Sequence, residues 1–336
     1  MSDLDFSKKT EEPIFEDEIE IKKPDGRLGK IIAFPEKKEQ QEYTKVIELK
    51  KEFYDSVEKR DPRLKNMRDN LETHEKNVDQ FGDELIKAHP GLSSKDRTIT
   101  KIAIKLHDIG KMDSLLFENY NEWLLKHHKR GSDRAGEMLE KLKGQKINGV
   151  EVNEKMIIKV KEAIDRHMNH PYLILMNKGE RFPEAEDDID RTVSDADMVS
   201  NVGFKNITFR FNEKDMNEDQ EAAKKKGITI LEANFENVME GVKVLDEYVY
   251  SDQAKEKVGE LIEKSEEIFQ YFKKNDIFRK VQAEFSDQQG NFSIEAMQAK
   301  FGKEYFCLIK KRFNEEIAKA GSELGIDKKV FNNFKI

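Results

Sequence analysis

The sequence predicts an all-α protein, and three observations carry that expectation. After about residue 42, apolar residues recur at intervals of three and four through most of the chain. Strand-like alternation is confined to two short stretches, KIIAF at 30–34 and FKNITFRF at 204–211. With 37% hydrophobic and 38% charged residues, the chain suits helices that bury one face and leave charge on the other.

Residues 1–42 carry dense charge, Pro13, Pro24 and Pro35, and little periodicity, which predicts a flexible arm with a short strand at KIIAF. Helical spacing begins with YTKVIELKKEFYDSV, where Val46, Leu49, Phe53 and Val57 form a stripe. In HEKNVDQFGDELI, Val78, Phe81 and Leu85 follow His74 by 4, 7 and 11, so the histidine heads an inward stripe. TITKIAIKLHDIG has Ile99, Ile102, Ala103 and Leu106 on one face. His107 follows Ala103 by four, which puts His107 and Asp108 on the last turn of a buried helix with Gly110 as its stop.

HHKRGSDRAGEMLEKLKG predicts the next helix, with Ala135, Leu139 and Leu142 on one face and His127 and His128 at or before its start. NEKMIIKVKEAIDRHMNHP follows. Ile157, Val160 and Ile164 are spaced helically, His167 extends the stripe by three, and His170, before Pro171, falls at the periphery. In DIDRTVSDADMVSNVG, Ile189 and Val193 set the inward face and Asp197 lies four past Val193. Asp195 is two residues away, about 200° round the helix, and faces the other side. Asp, Asn and Gly near 201–219 mark the best boundary, dividing a core at 43–205 from a helical region at 206–336. That region contains NFENVMEGVKVLDEYV and AKEKVGELIEKSEEIFQYF, both amphipathic. The lysines at 224–226 read as a solvated helix face. SDQQGNFSIEAM is not a calcium loop, because aligning Gly290 to the loop glycine puts Phe285 first and Ala296 last.

Composition narrows the function. Lys and Arg number 60 against 68 Asp and Glu, a net charge of −8, which disfavours nucleic acid and anionic lipid as partners. No apolar run is long enough to cross a bilayer, and the start MSDLDFSKKTEEP is no signal peptide, so the expected compartment is the cytoplasm. Cys307 is the only cysteine, so any metal must be held by His, Asp or Glu.

A histidine on one helix is ordinarily a hydrogen-bonded core residue, and a lysine after a helix end is ordinarily solvated. Asp108 is harder to dismiss, because a buried carboxylate costs several kcal/mol unless paired or bound to a cation. The ordered set of His74, His107, Asp108, His127, His167 and Asp197 is stronger still, since five successive helical segments each bring a ligand-type side chain inward.

That order resembles the HD superfamily, metal-dependent phosphohydrolases with an H…HD…D pattern on an all-helical core. The match spans roughly residues 70–200. HDIGK at 107–111 is similar to the family's central motif, and HHKRGSDRAGEML to its "H-x-x-x-G-A" helix start, which selects His127 over His128. AIDRH resembles the "I-x-x-H" of two-metal members, and SDADMV the closing "A-D-x-L/V", which selects Asp197. MNHPYL after His167 lacks the HHE and GYP elements of cyclic-di-GMP phosphodiesterases. HDIGKMD lacks the Glu-Asp pair of alarmone hydrolases, and Lys111 stands where many triphosphohydrolases have histidine.

The resemblance implies a hydrolase acting on a phosphate ester of a small, nucleotide-like substrate with a metal-activated water. His74, His107, Asp108 and Asp197 would hold one divalent ion, His127 and His167 would help to hold a second, and Asp108 would bridge them. The all His/carboxylate set fits iron, manganese or a similar ion. Asp108 and Lys111 are the expected catalytic residues, Lys111 offsetting phosphate charge. A homo-oligomer is compatible with the sequence. Two other classes share these residues: diiron oxygenases of the myo-inositol oxygenase type, and a binding module that keeps a metal for stability.

Overall fold

The computed structural model describes residues 18–22, 28–32, 43–116, 120–204, 211, 213–327 and 334. Contacts divide the chain into two compact units, residues 1–44 and 45–336. In the first, β1 (Glu18–Lys22) and β2 (Leu28–Ile32) pair antiparallel, with Glu18 opposite Ile32 and Lys22 opposite Leu28. β2 contains the Lys30–Ile32 part of the strand expected at 30–34. The alternation expected at 204–211 falls almost wholly outside the described residues.

The second unit is helical, as the periodicity predicts. Its first five long helices are α1 (Thr44–Arg60), α2 (Lys65–Ala88), α3 (Ser94–Leu106), α4 (Tyr120–Glu140) and α5 (Glu154–Asp165). The short α6 (Pro171–Met176) and the longer α7 (Asp188–Ser200) follow. Between α4 and α5 lies a minimal hairpin of β3 (Lys146–Ile147) and β4 (Val150–Glu151). The remaining helices are α8 (Glu213–Lys226), α9 (Ile230–Lys243), α10 (Asp252–Lys274), α11 (Ile277–Phe285), α12 (Ile294–Phe301) and α13 (Tyr305–Glu323). No helix among the described residues is long and apolar enough to cross a membrane.

Local chemistry explains the main boundaries. Ser93 caps α3 by accepting from the Asp96 N–H, and the Asp96 carboxylate returns the bond to the Ser93 N–H, a reciprocal capping box. Asp187 accepts from two backbone N–H groups of α7, and Asn153 caps α5. In α1 the buried aromatic is Tyr54, whereas Phe53 is half-buried. The Tyr54 hydroxyl reaches Glu75 at 2.7 Å, so the polar tip is satisfied inside the core.

Helix α2 packs against α3 and α7, α3 packs against α5 and α7, and α4 packs against α5. The apolar stripes meet at the centre: Val78, Ile102, Ala103, Leu106, Val160, Ile164 and Val193 are each fully buried. Burying a Val, Leu or Ile side chain is worth about 1.5–3 kcal/mol, so this seam holds α2, α3, α5 and α7 in fixed relation.

The C-terminal helices belong to the same unit as the core. They have an aromatic centre in which Phe235 lies 5.0 Å from Phe278 and 4.9 Å from Phe313, ring to ring. Phe204, just past α7, joins it at 5.2 Å from Phe235. Helix α10 packs against α2 and α7. The lysines at 224–226 are exposed, as their clustering suggests.

Two expected boundaries differ from those found. The helix carrying His127 and His128 begins at Tyr120, so both histidines lie inside α4 and not at its start. Leu124, buried three residues before His127, extends the apolar face backwards through charged neighbours. Gly110 is not a left-handed helix stop either. Helix α3 ends at Leu106, and a 3-10 segment, Ile109–Leu116, carries the chain on. Glycine is needed at 110 because a Cβ would stand 2.1 Å from the His127 carbonyl oxygen and 2.4 Å from the Gly131 nitrogen.

Candidate metal centre

Four histidines point the same ring nitrogen at one place, and their backbones explain why. The Nδ1 atoms of His107, His127 and His167 lie 2.8, 2.8 and 2.6 Å from the carbonyl oxygens of Ile104, Leu124 and Ile164, each three residues earlier. A carbonyl oxygen only accepts, so each Nδ1 carries the proton and donates it. Each Nε2 is left with its lone pair free for a cation. At His74 the Nδ1 proton is placed by another route. The Ser200 hydroxyl donates to the Asp197 carbonyl at 2.8 Å, so its oxygen accepts from His74 Nδ1 at 3.3 Å.

The two carboxyl oxygens of Asp108 divide this set. Oδ2 lies 3.2 Å from His74 Nε2 and 3.4 Å from His107 Nε2. Oδ1 lies 3.3 Å from His127 Nε2 and 3.8 Å from His167 Nε2. Asp197 Oδ1 adds a contact of 3.0 Å to His74 and 3.8 Å to His107. Asn201 orients Asp197 by donating to its Oδ1 at 3.2 Å. The rings close the group, with His107 and His127 centred 5.3 and 5.6 Å from His167.

The elements deliver these side chains differently. His74 is midway along α2, His127 is inside α4, and Asp197 is in the last turn of α7. His107 caps the C-terminus of α3, and His167 lies just beyond the end of α5 at Asp165. The glycines of the crossing permit close approach: a Cβ on Gly131 would be 3.0 Å from the His107 carbonyl. Trp123 Nε1 donates to the Lys111 carbonyl at 2.8 Å, and Arg134 pairs with the buried Asp113 at 2.7 Å, fastening the 3-10 segment to α4.

The electrostatics suit a cation. Burial alone would raise the Asp108 and Asp197 carboxyls. Lys111 and His107 outweigh it at Asp108, and His74 and His107 at Asp197, so both are held well below the usual carboxylate range. Burial and the Lys111 charge lower His127 to about 4, which keeps its Nε2 unprotonated near neutral pH. His74 is raised: burial works to lower it, but the Asp108 and Asp197 carboxylates prevail.

His74 Nε2, His107 Nε2 and Asp108 Oδ1 are all buried without a hydrogen-bond partner. Buried polar atoms are ordinarily paired, so three orphans on converging ligand atoms fit a cation between them. Among the described residues, two sets have ligand atoms close enough to hold an ion, His74–His107–Asp108 and Asp108–His127–His167, with Asp108 in both. Lys111 Nζ, 2.5 Å from Asp108 Oδ2, places one positive charge at the same carboxylate.

Other candidates fall outside. His89 caps the end of α2, accepts from the Gly91 N–H at 3.1 Å and is 3.8 Å from Asp188. His128 is buried against Phe182 with both ring nitrogens unpartnered, and burial lowers it to about 3. His170 is half-buried and caps α6, accepting from the Tyr172 N–H. Asp195 is fully buried on the opposite side of α7. It accepts from the Tyr250 N–H at 2.7 Å, the Ser251 N–H at 2.9 Å and the Ser251 hydroxyl at 2.6 Å. Ser251 is the N-cap of α10, so Asp195 ties the C-terminal helices to the helix that carries Asp197.

Sequence reasoning missed three supporting residues. Glu75, next to His74, takes both the Tyr54 hydroxyl and the Lys50 ammonium at 2.7 Å. Asn169, two past His167, clamps the Phe182 backbone through its N–H at 3.0 Å and its carbonyl at 3.3 Å. Ser200 fixes His74. None has a one-dimensional signal, because each partner is distant in sequence. No family model, curated protein or solved structure matches the chain.

Proposed function

We propose that this chain is a metal-dependent phosphohydrolase of the HD type, cleaving a phosphate ester of a small, nucleotide-like substrate. The observation that carries the reading is the division of Asp108, one oxygen toward His74 and His107, the other toward His127 and His167. His74, His107, Asp108 and Asp197 would hold one divalent ion, and Asp108, His127 and His167 a second. Ions in such a pair supply Lewis acidity toward phosphoryl oxygens and can lower the pKa of water from 15.7 to about 7.

The chain's own residues supply the rest. The Nδ1–carbonyl bonds fix each imidazole in one tautomer before any ligand arrives, so no proton has to move for Nε2 to act. The depressed Asp108 carboxyl stays ionised across the working pH range. Lys111 is partly exposed at the edge of the cluster and can pivot from Asp108 to a phosphoryl oxygen. Its backbone is fixed by Trp123, so the ammonium keeps a short arc of reach.

The test is a screen of phosphorylated metabolites and nucleotides against metal-loaded protein, following phosphate release and dioxygen consumption together. Phosphate release that disappears on chelation and returns with iron or manganese is the expected result. Dioxygen uptake coupled to C–C or C–P cleavage, with no ester hydrolysis, would replace this reading with the diiron oxygenase one.

A further inference from the structure

On the His128 side of α4 lies a cavity of about 520 Å3, lined by α4, the end of α6 and the loop before α7. Ligand pockets commonly hold about 300–1,000 Å3. Lys126, Lys129 and Arg181 line it, and Glu122 is the one carboxylate lining it. The lining therefore carries three positive groups against one negative, in a chain whose net charge is −8. Glu122 pairs with Lys126 at 2.6 Å, and Arg181 reaches Glu184, itself exposed, at 3.2 Å. Lys126, Arg181 and Glu184 are largely exposed and Glu122 is partly so; such pairs are worth little in water, so either cation can turn to a ligand at small cost.

His128 is among the lining residues and is packed beneath the surface. The residue is 2% exposed, and neither ring nitrogen has a hydrogen-bond partner. Asp165 is the nearest carboxylate, 3.7 Å from Nε2, beyond hydrogen-bond length. A buried imidazole without partners is costly and uncommon, and here it lies where the basic side chains line one hollow. The opposite wall is Phe182 and Pro183, whose ring and backbone are fixed. Phe182 stands edge-on to His128 at 5.3 Å, and Asn169 bonds the backbone of both residues.

We propose that this cavity binds a phosphate group of a small ligand, with Lys129, Lys126 and Arg181 supplying charge against the fixed wall of Phe182 and Pro183. His128 follows the inward-facing His127 directly, and the wall is clamped by Asn169, two residues past His167. The site in itself needs only the cavity and its charges. The further step, that it takes a second phosphate of the hydrolysed substrate, rests on the proposed function.

The probe is inorganic pyrophosphate titrated into chelator-treated full-length protein. Binding is followed by calorimetry and by the fluorescence of Trp123, the single tryptophan, which lies on α4 beside the lining residues. Wild type should bind pyrophosphate and not equimolar acetate. Lys129→Glu and Arg181→Glu, both at exposed positions, should each weaken binding about tenfold or more, and Lys225→Glu on α8 should leave it unchanged. No binding by wild type, or equal binding by Lys129→Glu and Arg181→Glu, overturns the site. Because the protein is metal-free, the result stands whether or not any ester is hydrolysed. On metal-loaded protein, a raised KM in Lys129→Glu assigns the site to the substrate. An unchanged KM with lost pyrophosphate binding assigns it to a separate phosphorylated ligand.

Discussion

A Cβ on Gly110 would stand 2.1 Å from the carbonyl oxygen of His127. The backbone after Asp108 thus lies directly on the backbone of the helix that carries the facing histidine, and this contact sets the distance between Asp108 Oδ1 and His127 Nε2. Gly110→Ala must push the two apart. Overpacking of this kind typically costs about 1–3 kcal/mol, and here the clash is with backbone that cannot rotate away. The expected outcome is a lower urea midpoint together with weaker retention of metal. Gly259→Ala is the contrast. It lies inside α10, a Cβ there meets nothing within 4 Å, and it should stabilise by about 0.5–1 kcal/mol. A Gly110→Ala protein with full metal content and wild-type stability would show that the crossing tolerates movement.

Asp108 is the residue on which both halves of the cluster depend. Asp108→Ala removes the carboxylate shared by the two candidate sets and leaves four imidazoles facing one another. Metal content measured by emission spectroscopy should fall for both sites, and turnover should nearly vanish. Far-UV helicity should persist, because Ile102, Ala103 and Leu106 hold α3 without it. His170→Ala should keep its metal and most of its activity, losing only about 1 kcal/mol for the cap on α6. Normal turnover in Asp108→Ala would sink the two-ion mechanism.

Helical phase was enough to read much of the site. The stripe of Ile189 and Val193 points to Asp197 and away from Asp195, and the two aspartates do face opposite sides of α7. The stripe of Ile157, Val160 and Ile164 leads to His167, although α5 ends before it and a single Nδ1–carbonyl bond completes the turn. The start of α4 was not legible. Tyr120 and Asn121 carry no strong cap signal, and charged residues interrupt the apolar face around Leu124. The need for glycine at 110 was hidden for a different reason: the atoms that require it belong to residues 127 and 131. The cavity over His128 was equally invisible, because Phe182 and Pro183 reach it only through the fold.

The Asp195 carboxylate is a latch between two parts of the unit. It satisfies two backbone N–H groups and a hydroxyl at the start of α10 while buried in α7. Asp195→Ala strands those donors, and an uncompensated loss of charged hydrogen bonds costs about 1.5–3 kcal/mol each at most, with some of it recovered by water. A drop of about 2–4 kcal/mol in unfolding free energy by urea titration is expected. Metal affinity should weaken as well, since Asp197 is on the same helix two residues on. Unchanged stability would mean that the aromatic centre around Phe235 alone fastens the C-terminal helices.

Acid should destabilise the metal-free protein well before its carboxylates protonate. His127 and His170 are lowered to about 4 and His128 to about 3, chiefly by burial, against an ordinary value of 6.5. As pH falls below about 6.5 the unfolded chain takes up protons that these folded imidazoles refuse, so stability is complete above that point and declines toward pH 4. Each group contributes up to about 1.4 kcal/mol per pH unit within its window. His74, which is raised, acts in the opposite sense only above 6.5, where folded protein holds a proton the unfolded chain has lost. Asp108 and Asp197, both lowered, add their losses below about pH 4. His128 isolates the effect, because it makes no hydrogen bond that a substitution would break. His128→Phe should match or exceed wild-type stability at pH 7.5, since it replaces a buried unpaired imidazole with an apolar ring against Phe182. Between pH 6.5 and pH 5 it should lose about 2 kcal/mol less than wild type, as read from urea midpoints of chelator-treated protein at each pH. Identical losses in the two proteins would mean that His128 takes up its proton in the folded state, and that its ring is not sealed between Phe182 and α4.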